Sequence, residues 1–330
     1  MEYRVLGTTD IEVSTIAFGC WPIIGGFTWG DQDHADSIAA LRAAYDEGIT
    51  FYDTAEAYGK GASEQLIAEA LGEQRDNIAI ASKVSPGHLA ADDLRAACER
   101  SLQHLKTDYI DLYQIHWPSR EVPLEDTLAT LAELVEEGKV RACGVSNFGP
   151  RDLAECLSGD LPIVTNQVAY NLVFRAIEYE VQPVCVESGV SILPYSPLAQ
   201  GLLLGKFAKA DEVPVDRART RHFASTRDEA RHSEAGCEEL LFEAIAEFLT
   251  IARAGGYSPA EAAIGWLLGQ EAVPSVLVGA RNAEQARQNA ACGDLVMDRE
   301  TRDALSDAGD ALKRELGLNA DMWQSESRIR

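Results

Sequence analysis

Residues 50–59 read Thr50-Phe51-Tyr52-Asp53-Thr54-Ala55-Glu56-Ala57-Tyr58-Gly59. A short β-prone run, Thr50 to Tyr52, ends here, and within six residues the chain presents a carboxylate, Asp53, and a phenol, Tyr58. A phenol is a weak acid near neutrality, with an unperturbed pKa of about 10. A neighbouring cation favours its ionised form and turns it into a usable proton donor. The fold reading depends on whether this strand followed by a polar turn recurs.

It does. Working outward, helix-period segments and apolar β-prone runs alternate along most of the chain. Strands are predicted at Thr15–Phe18, Thr50–Tyr52, Asn77–Ser82, Tyr109–Ile115, Val140–Val145, Ile163–Val168, Val190–Pro194 and Ser275–Val278. Helices are predicted at about 34–47, 63–71, 91–105, 124–137, 150–157, 177–188, 258–270 and 283–292. Gly48, Gly138 and Gly189 stand where helices should stop. Ser258-Pro259-Ala260-Glu261 carries the signature of a capping box. Eight strand–helix units in one chain predict an α/β protein of the (β/α)₈ barrel class, a single domain over residues 1–330. The alternative, an open doubly wound sheet, lacks a G-x-G-x-x-G after the first strand. Residues 2–14 read as an N-terminal hairpin turning at Thr8-Thr9-Asp10. Residues 199–235 form a long loop after the seventh barrel strand, followed by an extra helix at 236–254 and another at 298–312. Residues 313–330 are expected to fold as a tail over the barrel mouth.

Composition narrows the function classes. A hydrophobic content of 46% supplies a packed core, and no apolar run approaches the roughly 18 residues of a membrane span. Residues 1–12 carry Glu2, Arg4 and Asp10 without an apolar centre, so no signal peptide is expected. Seven cysteines (Cys20, Cys98, Cys143, Cys156, Cys185, Cys237 and Cys292) are scattered without a C-x-x-C, which argues for reduced cytoplasmic thiols and against a cysteine zinc site. A formal charge of -24 disfavours nucleic acid and anionic membrane as partners. The acidic surface is compatible with simple solvation or with adaptation to salt.

Asp53, Lys83 and His116 follow three successive strands, and in a barrel the C-terminal strand ends converge on one rim. Parity supports this: Lys83 shares a face with Ala79 and Ala81, and His116 with Leu112 and Gln114, whereas Ile78 and Ile80 point outward. Singly, each has a plainer reading: a turn-capping Asp, a surface Tyr, an exposed strand-end Lys, a core His. Jointly at one rim they suggest chemistry. A barrel hydrolase with paired carboxylates is a rival. It needs a second acid at the mouth, of which Glu56 is the nearest, and leaves Lys83 and His116 unexplained.

These motifs resemble those of aldo-keto reductases. Asp53 to Gly59, with Gly61 and Ser63-Glu64, is similar to the family's Asp/Tyr motif. Ala81-Ser82-Lys83 matches its lysine strand, Asp111-Leu112-Tyr113-Gln114-Ile115-His116 its histidine strand, and Gly144-Val145-Ser146-Asn147-Phe148 its fifth strand. The likeness runs from about Arg4 to about residue 305. It implies a (β/α)₈ barrel that binds NADP(H) without a Rossmann fold, acts on a small carbonyl substrate and uses Asp53, Tyr58, Lys83 and His116 as a catalytic tetrad. In that scheme Lys83 lowers the pKa of Tyr58, Asp53 holds Lys83, and neutral His116 orients the carbonyl.

The same resemblance assigns a cofactor site. Ser146, Asn147 and Gln167 would take the nicotinamide carboxamide, Tyr195 would stack on the ring, and Gly19-Cys20-Trp21 would touch the ribose. Ser196-Pro197-Leu198-Ala199-Gln200-Gly201 with Lys206 would wrap the pyrophosphate. After the last strand, Gly279, Arg281, Gln285 and Asn289 would meet the adenosine end, with Arg281 suited to a 2′-phosphate and Arg217 or Arg219 assisting. Many relatives carry a Lys-Ser pair where Gly279-Ala280 stands, so Arg281 must supply most of the discrimination. Trp21, Trp29 and Trp117, with Tyr58 and His116, would line the substrate pocket. The expected activity is reduction of small aldehydes, dicarbonyls or aldoses. An oxidative sugar or pyridoxal dehydrogenase and a nicotinamide-binding redox sensor are the alternatives. No metal is expected.

Overall fold

The computed structural model describes residues 1–26 and 28–330. An N-terminal hairpin comes first, β1 (Tyr3–Val5) and β2 (Glu12–Ser14). The barrel then begins with β3 (Ile16–Gly19), α1 (His34–Asp46), β4 (Phe51–Asp53), α2 (Ala62–Leu71), β5 (Ala79–Val84), α3 (Ala91–Leu105) and β6 (Ile110–Ile115). It continues through α4 (Leu124–Glu136), β7 (Val140–Ser146), α5 (Pro150–Leu157), β8 (Ile163–Ala169), α6 (Val181–Ser188) and β9 (Ser191–Tyr195). After the long loop come α7 (Glu238–Ala254), α8 (Pro259–Leu268), β10 (Val276–Val278), α9 (Ala283–Ala290) and α10 (Arg299–Leu316).

Eight parallel strands lie in the order β10-β3-β4-β5-β6-β7-β8-β9, with helices between them: a (β/α)₈ barrel. Among the described residues β9 and β10 share no ladder. That junction is bridged by Ile192 N donating to the Ala272 carbonyl at 2.7 Å. Parity is as read from the sequence. Ala79, Ala81, Leu112, Ala142 and Leu277 form an inner cluster, plugged from below by Leu6, Ile11 and Val13 of the hairpin. Ile78, Ile80 and Ile110 belong to the outer core against the helices. Small inner side chains on β5 keep the barrel narrow while leaving room for Lys83.

Boundaries shift in instructive places. Backbone pairing carries β5 to Val84, so Lys83 lies within the strand rather than beyond it. The helix expected at 177–188 divides into a 3₁₀ turn at Ala176–Glu178 and α6. The last helix runs to Leu316, four residues past its expected end, and only then does the tail cross the mouth. Two 3₁₀ segments, Ala199–Leu204 and Ala210–Glu212, punctuate the long loop. The capping box forms as its sequence dictates, Glu261 N to Ser258 Oγ at 3.2 Å and Ser258 N to Glu261 Oε2 at 2.7 Å. No described helix is long and apolar enough to cross a membrane.

Candidate active site

The C-terminal ends of β4, β5 and β6 bring Asp53, Lys83 and His116 to one rim. Lys83 is wholly buried, not the exposed lysine that its type alone suggests. Its Nζ donates to Asp53 Oδ1 at 2.6 Å and to the Thr54 carbonyl at 2.8 Å. The second Asp53 oxygen accepts from Gln167 Nε2 at 2.7 Å and Gln114 Nε2 at 3.4 Å. A buried ion pair survives only when its remaining lone pairs and protons are satisfied, and these two amides and one carbonyl do that. Burial pulls the Lys83 ammonium down, but the Asp53 carboxylate and the Tyr58 phenol oppose it, and the net shift is upward. Lys83 therefore stays charged.

Tyr58, in a 3₁₀ turn after β4, lies with its ring centroid 5.1 Å from that ammonium. Two glycines and Lys60 give the turn its left-handed backbone, with φ of 61° at Gly59, 54° at Lys60 and 91° at Gly61. Trp21 stacks on Tyr58 at 6.2 Å and His116 meets it edge-on at 5.7 Å. Lys83 acts on the phenol in the expected direction, and burial outweighs it. Burial raises the phenol, Lys83 pulls it back, and the net result lies above the ordinary value. The ammonium thus moderates a shift that burial dominates, and Tyr58 holds its proton at neutral pH. Burial, reinforced by the charge of Lys83, drives His116 down to about 3, so its imidazole is neutral and able to donate one hydrogen bond.

These side chains border a cavity of about 930 Å³, roomy enough for a dinucleotide and a small second molecule. Of the residues named above for cofactor or substrate contact, all but Ala199 line it; Lys83 lies behind the wall. On the far side, Ser146 Oγ donates to the Gln167 carbonyl at 2.9 Å, Asn147 Nδ2 to the His116 carbonyl at 3.1 Å, and the Tyr195 hydroxyl to Asn147 Oδ1 at 2.8 Å. Asn147, Ser196, Ala199 and Gln200 all have left-handed backbones, φ 62°, 56°, 46° and 55°. Such strain is uncommon in residues with a side chain and collects where a ligand is gripped. The side-chain amide of Gln200, Arg217 Nε and Trp29 Nε1 are buried without hydrogen-bond partners among the described residues, although Arg217 Nε lies 3.9 Å from Asp216 Oδ2. Donors left unpaired along a groove suit a long polar ligand, so the lining fits a dinucleotide.

Around the last strand, Asn289 Nδ2 donates to the Gly279 carbonyl at 3.1 Å, and Arg281 N to Gln285 Oε1 at 2.9 Å. The Arg281 guanidinium is clasped from the loop after β3: Nε donates to Gln32 Oε1 at 2.8 Å and Nη2 to the Asp31 carbonyl, while Gln32 Nε2 returns a bond to the Arg281 carbonyl at 2.8 Å. Sequence reasoning gave no signal for this clasp. Nor did it single out Trp323, Gln324 and Arg328 of the tail, which complete the lining beside Trp117. Gln114 could have been suspected, being a polar residue on the inward parity of β6. Glu56 is not part of the lining; it accepts from Ser85 N at 2.7 Å and faces His88 Nδ1 at 2.8 Å. Glu56 is therefore not the second acid that the paired-carboxylate reading needs. Among the described residues, no group of three or more His, Cys, Asp and Glu side chains could hold a metal.

A family model described as "Aldo/keto reductase family" matches residues 15–309. The chain is 35% identical to "Aldo-keto reductase YhdN" of Bacillus subtilis over 300 residues, 86% of each chain. It is 31% identical to "NADH-specific methylglyoxal reductase" of Escherichia coli, over 96% of this chain and 98% of that protein. Among solved structures, an aldo/keto reductase from Klebsiella pneumoniae in complex with NADP and acetate aligns with a TM-score of 0.71 at 29% identity, covering 92% of this chain and 93% of the other.

Proposed function

The chain belongs to the aldo/keto reductase family, and from that premise we propose that it is an NADPH-dependent reductase converting small aldehydes and ketones to alcohols. The observation that carries this reading is the buried Lys83 ammonium, 2.6 Å from Asp53 and 5.1 Å from the Tyr58 ring centroid. A bound NADPH supplies the hydride that reaches the carbonyl carbon. The chain supplies everything around that transfer. Tyr58 gives its hydroxyl proton to the carbonyl oxygen, so no alkoxide is released, and Lys83 stabilises the phenolate left behind. Asp53 keeps Lys83 in place, and neutral His116 donates to the same oxygen from the second side. The phenolate recovers a proton from solvent.

Ser146, Asn147 and Gln167 would hold the carboxamide. With its nitrogen engaged by Asp53, Gln167 offers its oxygen there. Trp21, Trp29 and Trp117 exclude water around the carbonyl. Preference for NADPH rests on Arg281, whose guanidinium is oriented by two neutral acceptors, the Gln32 side-chain oxygen and the Asp31 backbone carbonyl. The Klebsiella relative holds NADP, whereas the E. coli relative is named for NADH, so the 2′-phosphate assignment belongs to this chain's own residues. The decisive experiment is Tyr58→Phe. Turnover of a small dicarbonyl such as methylglyoxal should fall by about 10²–10⁴, while fluorescence titration shows NADPH binding within about twofold of the parent. Undiminished turnover would remove Tyr58 as the acid. Tight NADPH binding with negligible turnover by the parent protein would favour a redox sensor.

A further inference from the structure

Six cationic side chains line the cavity, Lys206, Arg217, Arg219, Arg231, Arg281 and Arg328, against two carboxylates, Asp53 and Glu229. The chain as a whole has the opposite balance, 29 basic residues to 53 acidic. Asp53 is moreover committed to Lys83. Arg328 is likewise paired with Asp321 and Arg217 with Asp216, yet cations still outnumber carboxylates along the lining, which favours anions at the cavity. Part of this excess belongs to the dinucleotide phosphates: Arg217 Nη1 reaches the Gln200 carbonyl at 3.4 Å, and Lys206 and Arg281 stand on the two cofactor loops.

The other three gather elsewhere. Arg219 lies 4.9 Å over the Trp323 ring and donates to Thr28 Oγ1 at 3.3 Å, one residue from Trp29. Burial, and then the like charge of Arg231, holds its guanidinium below the usual range, with Asp216 and Glu229 opposing the shift. Arg328 lies 3.8 Å over the ring of Trp117, the residue after His116. Its rotation is fixed by a fork on Asp321, Nε to Oδ2 at 2.6 Å and Nη2 to Oδ1 at 3.0 Å. Asp321 is itself wholly buried and also accepts from Trp323 N at 3.0 Å. Stacking sets the plane of the guanidinium and the fork sets its edge. Nη1 is left with no hydrogen-bond partner among the described residues, on a side chain 38% exposed.

Resting on the reductase reading above, we propose that the carbonyl substrate carries a second, anionic group, a carboxylate or a phosphate, bound by Arg328 within the positive potential of Arg219 and Arg231. Arg328 is then a specificity-determining residue. A guanidinium held in advance by stacking and a fork loses little freedom on binding, which suits it to planar or tetrahedral oxyanions.

The test compares kcat/KM with NADPH for 4-oxobutanoate against butanal, and for glycolaldehyde phosphate against glycolaldehyde. The parent protein should favour the anion of at least one pair by tenfold or more in 20 mM KCl, with the preference shrinking in 500 mM KCl as charge is screened. The pair that shows the preference identifies the anion. Arg328→Met should cut that ratio at least tenfold, and Arg328→Lys, which keeps the charge, by distinctly less. Both members of a pair are measured on one preparation, so any loss of folded protein cancels. Equal rates within both pairs, or a ratio unchanged in Arg328→Met, overturns the inference while leaving the reductase standing. If none of the four aldehydes is reduced, it is the reductase reading that falls.

Discussion

Removing the Lys83 ammonium would strip Asp53 of its counter-charge inside the barrel and leave it only two amides for company. Breaking a buried pair from one side costs about 3–5 kcal/mol, so Lys83→Met should be markedly less stable to denaturant than the parent. Its kinetic effect has a definite sign. Lys83 is the cation that opposes the upward push of burial on Tyr58, so without it the phenol climbs further. Residual activity should then be low, and its alkaline limb should move to higher pH; a profile that only shrinks would separate Lys83 from the acidity of Tyr58. At the other end of the cavity, a charge-assisted bond to phosphate contributes about 1.5–3 kcal/mol. Arg281→Ala should raise the Kd for NADPH by about 10–100-fold and that for NADH by less than about threefold. Gln32→Leu, which dissolves the clasp but keeps the charge, should shift NADPH binding in the same direction by less. Equal effects on both coenzymes would deny Arg281 its phosphate.

At the scale of elements, the site depends on how turns and the tail are seated. Gly149 precedes α5, and a Cβ there would stand 2.4 Å from the Arg330 carbonyl oxygen and 2.7 Å from its nitrogen. These are backbone atoms and cannot rotate away. The Arg330 carbonyl also accepts from Arg151 N at 3.0 Å and Asp152 N at 2.9 Å. Gly149→Ala should therefore lift the end of the tail, destabilise the fold by roughly 1–3 kcal/mol and speed proteolysis within residues 317–330. Because Trp323 and Arg328 line the cavity, KM for carbonyl substrates should rise more than the Kd for NADPH. Parental proteolysis and kinetics would mean that the tail is held by its other anchors. The strands needed no such help to be found. Lys83 was placed inward by the period of two along Ala79-Ile80-Ala81-Ser82-Lys83, and coordinates put Ala79 and Ala81 in the inner cluster and Ile80 in the outer core. Boundaries were less legible, since the last residues of β5 are decided by pairing with β6 and not by their own propensity.

For the molecule as a whole, two neutral histidines, His222 in the core and His116 half-buried at the cavity, set a limit on acid stability. His222 is almost fully buried, with Nε2 2.7 Å from the Val173 carbonyl and Nδ1 2.9 Å from Thr220 Oγ1. Burial holds it down to about 4, and His116 to about 3. Below the unfolded histidine value of about 6.5 the unfolded chain takes up protons that the folded one refuses. Stability from these groups is therefore complete above about pH 6.5 and falls as the pH drops toward 4, by roughly 3 kcal/mol for His222 over that range. Urea unfolding at pH 7 and pH 5 should show the loss, and His222→Gln should flatten this window; a midpoint equal at both pH values would contradict it. For the same reason His116 gives no acid limb to kcat/KM between pH 5 and 8.

What the sequence determined by itself was periodic and local: eight apolar runs of strand length, the inward parity of Lys83, the capping box at Ser258, and a set of motifs specific enough to mark the family. Each depends on residues a few positions apart, whose geometry the backbone dictates wherever they occur. What only the tertiary structure decided joins positions that no local rule connects: Gln167 bonding Asp53 114 residues away, Gln32 clasping Arg281 at a separation of 249, and the tail setting Arg328 over Trp117. Those contacts exist because the barrel closes and brings its loop ends to one rim. Burial there also outweighed the expected pull of Lys83 on Tyr58, since desolvation is a property of the assembled cavity that no stretch of chain carries alone.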